Sequence, residues 1–219
     1  MAYKCRFCKN DLGNHFLDLG HQPPSNSYLD KNQLNMQEKF YPLKVYVCKS
    51  CWLVQLPEYL PSDALFTKDY AYLSSTSSSW CQHAEIYTKN AIKKLSLNQK
   101  SLVVEIASND GYLLKYFKES DINCFGIEPT DLAANEARKK GIKTLIKFFG
   151  YDLAKEITKN NQIAFGGADL IVANNVLAHV PNINDFIAGI AILLKPNGFA
   201  SIEIPHLLNT LKYNQFDTI

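Results

Sequence analysis

Two pairs of thiols and two carboxylates are the residues of this chain best placed to do chemistry. Cys5-x-x-Cys8 and Cys48-x-x-Cys51 repeat one spacing across a long insert. Each pair suits a tight knuckle, and four thiolates from two knuckles complete the tetrahedral shell of a structural Zn2+. Cys81 and Cys124 stand alone and are expected to be packed thiols. The first carboxylate, Glu105, lies in the run Leu102-Val-Val-Glu-Ile-Ala-Ser-Asn-Asp-Gly111, where an apolar stretch gives way to small and polar residues. Such a strand, breaking into a loop before a helix, lets ligand atoms approach the backbone and presents free N–H groups to a nucleotide-like cofactor. The second, Glu128, closes another apolar run in Gly126-Ile127-Glu128-Pro129. A carboxylate there can take both hydroxyls of a ribose.

These groups need elements to hold them. Residues 1–60 carry both cysteine pairs, several turn signals and short β-like runs, and are expected to form a small β-rich zinc-binding domain. So small a core needs the metal's binding energy to fold. Residues 61–100 read as a lid segment and its leading helix. Tyr70-Ala-Tyr72-Leu-Ser-Ser-Thr-Ser-Ser-Ser79 is too aromatic for a plain linker and could meet a ligand. A serine near Ser78 is expected to cap a helix over 79–95, with Trp80, Ala84, Tyr87, Ala91 and Leu95 at helical spacing.

From residue 101 strands and helices alternate. Strands are expected at 102–107, 122–127, 142–146, 168–173 and 199–204, and helices at 112–119, 131–140, 151–159 and 183–194. The last helix has Asn182 as cap, Pro196-Asn197-Gly198 as its stop, and Ile183, Phe186, Ile187, Ile190 and Leu194 as its core face. Nearly all-apolar strands separated by helices predict an α/β fold, a mostly parallel Rossmann-like sheet covered on both faces. The chain stops soon after the fifth strand, so 101–219 is expected to be an incomplete core of a longer protein.

Composition excludes several classes. Of 219 residues 47% are hydrophobic, enough for a real core, and the net charge of +2 implies no field for nucleic acid or an anionic membrane. No apolar run approaches the ~20 residues of a membrane helix, and Met-Ala-Tyr-Lys-Cys opens no secretory leader. The expected location is the cytoplasm, where paired cysteines bind zinc rather than form disulfides. The sequence specifies no oligomeric state.

Glu105-Ile-Ala-Ser-Asn-Asp-Gly111, Gly126-Ile-Glu-Pro129 and Asn174-Asn-Val-Leu-Ala-His-Val180 together resemble the successive motifs of a class I S-adenosylmethionine-dependent methyltransferase. With the four-cysteine region and the Tyr-x-Tyr-x-Ser-Ser segment, the order resembles the nucleotide-sugar C-methyltransferases across essentially the whole chain. Ala107 and Asn109 stand where methyltransferases at large often carry glycine, which fits that subgroup. The resemblance implies S-adenosylmethionine as methyl donor and a keto-deoxysugar nucleotide as substrate. It places Glu105 near the methionine end and Glu128 on the ribose, in the segment with Pro129. Ala107, Ser108 and Gly111 would give room to the amino-acid portion, and Asn109 and Asp110 would bond it. Phe148 or Phe149 would stack on adenine, and Asn174 and Asn175 would line the same edge. His179, Tyr70 and Tyr72 become donors or relays to an enolate formed next to a 4-keto group. The family's base is a histidine in a Tyr-His-Glu-His motif, expected beyond Ile219. Two rivals remain: a donor-binding scaffold without turnover, and a zinc-ribbon RNA methyltransferase, which the charge disfavours.

Overall fold

The computed structural model describes residues 3–67, 70–159 and 166–216. Its N-terminal part is a three-stranded antiparallel sheet of β1 (Leu17–Gln22), β2 (Tyr41–Val47) and β3 (Val54–Gln55), in that order. Little is buried there: Cys5, Leu12, Tyr46 and Cys48 form the centre. The short helix α1 (Ser62–Leu65) follows, then a 3-10 turn at Ser74–Thr76 and the long helix α2 (Ser78–Leu95). The Ser77 side chain caps α2 by accepting from the Trp80 N–H, and Ser96 closes it in the left-handed conformation.

The larger layer is a five-stranded sheet. Its strands are β4 (Leu102–Ile106), β5 (Asn123–Ile127), β6 (Thr144–Leu145), β7 (Ala168–Asn174) and β8 (Leu194–Glu203), ordered β6-β5-β4-β7-β8 with every pairing parallel. Between them run α3 (Leu114–Glu119), α4 (Asp131–Lys139), α5 (Tyr151–Lys159) and α6 (Ile183–Leu193), and α7 (Leu207–Lys212) comes last. Strand β4 is buried at all five positions. Leu102, Val104 and Ile106 join the cluster with Leu153, Ile157, Phe186 and Ile190 of α5 and α6. Val103 joins the opposite one, with Ala84 of α2 and Leu114 and Phe117 of α3. That period of two is what a sheet covered on both faces requires. The strand order reverses between β4 and β7, and there the carboxyl ends of the strands open a crevice.

Three expectations are corrected. The helix expected at 112–119 starts at Leu114, because Gly111 to Leu113 complete the loop. The fifth strand begins at Leu194, so Pro196-Asn197-Gly198 lies inside β8 rather than ending α6. The register slips there, and a Cβ on Gly198 would sit 2.6 Å from the Ala168 carbonyl oxygen. Proline is tolerated because β8 is an edge strand among the described residues. The buried face of α6 is Phe186, Gly189, Ile190 and Leu193, while Ile187 is exposed. Gly189 leaves room for the residue before α5: a Cβ there would lie 2.9 Å from the Gly150 carbonyl.

Candidate active site

The loop leaving β4 has an unusual backbone. Ala107, Asn109 and Gly111 have φ of 55°, 48° and 73°, so the positions where Ala107 and Asn109 replace glycine do adopt the left-handed conformation that favours glycine. Gly111 is required: a Cβ there would stand 2.5 Å from Ile142 Cδ1. Gly126 is required for the same loop, since its Cβ would lie 2.4 Å from Ser108 Oγ. The loop is pinned to β5 by the Ser108 N–H donating to the Ile127 carbonyl and the Asn109 N–H donating to Glu128 Oε2 at 2.9 Å.

Three buried carboxylates face this loop, and their partners differ. Glu128, 4% exposed, also accepts from the Thr130 N–H at 2.9 Å and the Thr130 hydroxyl at 2.6 Å, both at Oε1. Three of its roughly four acceptor positions are therefore filled. Burial raises its pKa, against those hydrogen bonds, which lower it. Asp110 Oδ2 pairs with Lys140 Nζ at 3.0 Å and accepts from the Ser75 hydroxyl, while its Oδ1 has no partner. Glu105 is 1% exposed and neither oxygen meets strict hydrogen-bond geometry, although the Tyr112 hydroxyl acts on it to lower its pKa. Burial, then the charge of Glu128, holds its carboxyl well above the usual carboxylate range.

The hydroxyl-rich segment lies on the loop. Asn109 Nδ2 donates to the Tyr72 carbonyl at 3.0 Å, and its Oδ1 accepts from the Ser74 N–H at 2.8 Å. Asn109 thus straps the tyrosine segment down with its side chain. The Tyr72 ring itself is half exposed. The Tyr70 hydroxyl accepts from Asn26, and its ring meets Phe66 edge-on at 5.2 Å. Phe66 in turn meets His179 edge-on at 5.9 Å, bringing Tyr70 and His179 to one aromatic neighbour.

His179 ends a 3-10 turn, Leu177–His179, beyond β7. Its ring is solvent-accessible, yet the crowded rim around it and then the charge of Arg6 push its pKa below the usual 6.5. Arg6 belongs to the first cysteine pair and donates from Nε to the Pro181 carbonyl at 3.2 Å, while Asn184 Nδ2 donates to the Phe7 carbonyl at 3.0 Å. The two residues between Cys5 and Cys8 therefore hold the loop that follows His179 and the first turn of α6. Along the same sheet edge Asn174 Nδ2 donates to the Tyr112 hydroxyl at 3.3 Å. Asn175 Nδ2 donates to Glu203 Oε1 at 3.3 Å, and the other oxygen of Glu203 meets His83 Nε2 at 3.0 Å. The two phenylalanines part ways. Phe149 packs into the core, edge-on to Phe186 at 5.3 Å, and Phe148 is 45% exposed after β6. Phe148 is the more open of the two.

The four cysteines meet as expected. Their sulfurs all lie within 4.8 Å of one another, with Cys5–Cys51 at 3.6 Å and Cys8–Cys48 at 3.5 Å. Tetrahedral zinc–thiolate bonds of 2.3 Å put sulfurs about 3.8 Å apart, so the set fits zinc. Each knuckle ends on a left-handed residue, Lys9 or Trp52, that turns the chain back. Burial pushes the Cys5 thiol up, but hydrogen bonds from Gln55 and from the Cys8 and Phe7 backbone bring it down to about 6. Cys51 gains a backbone bond from Leu53, yet burial and the other three sulfurs raise it to about 12. A divalent ion removes that conflict by taking all four as thiolates.

Residues 5–66 match a family model described as "Putative zinc binding domain", and residues 104–200 match one described as "Methyltransferase domain". With its parallel sheet and thiolate cluster, the chain thus joins a zinc-binding domain to a methyltransferase domain. Over 216 residues it is 32% identical to the C-methyltransferase NovU of Streptomyces niveus, an alignment covering 99% of this chain and 50% of that protein. The chain thus spans about half the length of this relative. Among solved structures, a SAM-dependent methyltransferase from Archaeoglobus fulgidus aligns at a TM-score of 0.47 and 13% identity, over 62% of this chain and 60% of that one. One from Anabaena variabilis aligns at 0.47 and 17%, over 61% and 58%.

Several contributors carried no readable signal. Lys140 and Ser75 reach Asp110 only through the fold, and Arg6 reaches Pro181 across 175 positions. Thr130 was the exception in kind: a hydroxyl two residues past a buried carboxylate can satisfy it locally.

Proposed function

We propose that this chain is the donor-binding and zinc-binding part of an S-adenosylmethionine-dependent C-methyltransferase acting on a keto-deoxysugar nucleotide. In this reading residues 1–60 form the zinc-binding domain, 61–100 the lid segment and leading helix, and 101–219 the methyltransferase core. The observation that carries it is the crevice at the strand-order reversal. There a left-handed small-residue loop and buried carboxylates with unfilled acceptor positions fit a cationic nucleoside ligand better than any protein group nearby. Methylation at carbon is supported by the likeness to a C-methyltransferase over 99% of this chain, and the sugar nucleotide by the resemblance of the motifs to that subgroup.

S-adenosylmethionine supplies a methyl group already activated on a sulfonium, so the protein's work is alignment and proton handling. Glu128 holds the ribose; its one open acceptor position takes one hydroxyl, and both are held if the Asn109 N–H is shared. Ala107, Ser108 and Gly111, with Asn109, Asp110 and Glu105, surround the amino-acid portion, and Phe148 offers its open ring to adenine. Pro129, Asn174 and Asn175 complete the edge. His179, Tyr70 and Tyr72 stand on the acceptor side. There a base removes the proton beside a 4-keto group, and hydrogen-bond donors stabilise the enolate oxygen before its carbon is methylated. A neutral His179, favoured by its lowered pKa, can donate one hydrogen bond without adding charge.

The test uses the full-length protein with S-adenosylmethionine and nucleoside-diphosphate keto-deoxysugars. The expected result is a new carbon–methyl bond and, without donor, deuterium uptake from solvent at the carbon next to the ketone. Methyl transfer to RNA with salt-dependent affinity, or donor binding with no transfer to any such sugar, would overturn it.

A further inference from the structure

The carboxyl edge of the sheet holds a pair of titratable groups that neither the donor loop nor the zinc site uses. Glu203 is the last residue of β8 and His83 lies on α2, yet His83 Nε2 meets Glu203 Oε2 at 3.0 Å. An isolated surface ion pair loses most of its gain to ordering two free side chains. Here other contacts order both. Glu203 Oε1 accepts from Asn175 Nδ2 at 3.3 Å, and the Asn175 N–H donates to the Glu203 carbonyl at 2.8 Å, which ties the carboxylate to the end of β7. The imidazole stacks on Trp80, with ring centroids 5.0 Å apart and planes 20° from parallel. The pair stands beyond β7 and β8, on the opposite side of β4 from β5 and Glu128. Ligands of open α/β sheets lie outside such strand ends. Trp80 also stacks on the buried Tyr112 at 6.0 Å, and the Tyr112 hydroxyl accepts from Asn174, so one indole joins His83 to the crevice. The His83 and Glu203 side chains are 50% and 36% exposed. With a carboxylate at Nε2, the neutral ring carries its proton there and Nδ1 keeps its lone pair. Nδ1 has no hydrogen-bond partner among the described residues.

We propose that His83, held by Glu203 and Trp80, is the base that takes the proton from the carbon next to the ketone of the acceptor. This rests on the reading of the protein as a keto-sugar C-methyltransferase. In that step the C–H bond breaks, its proton passes to Nδ1 of His83, and its electron pair moves into the enolate, whose oxygen takes the negative charge. The imidazolium that forms is balanced by Glu203 at Nε2, which keeps the ring in the one tautomer that leaves Nδ1 basic. His83 then gives its proton to solvent from the exposed edge. Glu203 and Trp80 are positioning residues. His179, on the turn beyond β7, keeps the part of hydrogen-bond donor to the enolate oxygen.

The experiment needs no methyl donor. The full-length protein is incubated in deuterium oxide with nucleoside-diphosphate 4-keto-deoxysugars, and deuterium at the carbon next to the ketone is followed by NMR. His83→Gln should slow uptake by about a hundredfold or more, the loss of one general base. Free imidazole should restore part of the rate to His83→Ala, which a mere tie between α2 and β8 would not allow. Glu203→Gln keeps an oxygen for the Nε2 proton but no charge, and its rate should fall between those of the parent and His83→Gln. S-adenosylhomocysteine, titrated by calorimetry, should bind every variant as it binds the parent, which shows the fold intact. Exchange at the parent's rate in His83→Gln would overturn the proposal and leave the step to the histidine expected beyond Ile219. A loss that imidazole does not repair would overturn it equally. No exchange by the parent with any such sugar would overturn the keto-sugar reading itself. Should His83→Gln fail to bind S-adenosylhomocysteine, Glu203→Gln decides, and an unchanged rate there overturns the proposal.

Discussion

Withdrawing zinc from the four thiolates should unfold the N-terminal sheet and leave the larger one folded. Apart from the cysteines and Gln55, only Leu12, Val45 and Tyr46 are buried among the described residues of that sheet and its knuckles. At about 1.5–3 kcal/mol each they supply less than the ~10–16 kcal/mol of a structural zinc site. The larger sheet has two clusters of twelve or more buried residues and needs no metal. Hydrogen exchange followed by mass spectrometry, with and without a chelator, reads the two parts separately. Amides of β1 (Leu17–Gln22) and β2 (Tyr41–Val47) should lose protection, and those of β4, β5 and β7 should keep theirs. The loop after His179 should loosen too, because Arg6 and Phe7 are its anchors. Persistent protection of β2 in metal-free protein would refute the reasoning, as would global unfolding.

Arg6→Ala should leave one zinc per chain but move the His179 pKa upward toward 6.5, read by NMR titration of the imidazole, because it removes the cation beside it. In the parent protein that depressed pKa favours the neutral ring. The stability it contributes is present above the unfolded pKa near 6.5 and is lost as pH falls through the folded value. Gly111→Ala should cost about 2–4 kcal/mol in denaturant unfolding, since it adds a left-handed alanine to a methyl that meets Ile142. Asn109→Ala should leave overall stability within about 2 kcal/mol but free the Tyr72–Ser75 segment, seen as faster exchange at the Ser74 amide.

The parallel sheet was readable because its strands are nearly all apolar and its helices carry clear periodicity. The cysteine site was readable because the duplicated spacing has few other uses. Glu105 and its loop could be located from one apolar run ending in small residues and Glu128 from a second, since a strand end fixes where its next side chains point. What escaped the sequence came from tertiary placement. Pro196-Asn197-Gly198 is locally a stop signal, yet the close approach of the Ala168 carbonyl makes it a bulge in an edge strand. Phe148 and Phe149 are adjacent and chemically identical, and only Phe186 opposite decides which one is core. Asn109 reads as a ligand contact, and nothing local says that its side chain also ties down the Tyr72–Ser74 backbone. Arg6 sits inside a zinc motif, where nothing local says that it faces His179.

The central claim is that the crevice between β4 and β7 holds S-adenosylmethionine with Glu128 on its ribose. Calorimetry of S-adenosylhomocysteine with this chain tests it most directly, because the product analogue needs no turnover and no acceptor. The account predicts one site per chain, with affinity reduced at least tenfold in Glu128→Ala. No binding by the folded, zinc-loaded chain, or undiminished binding by the variant, would contradict it.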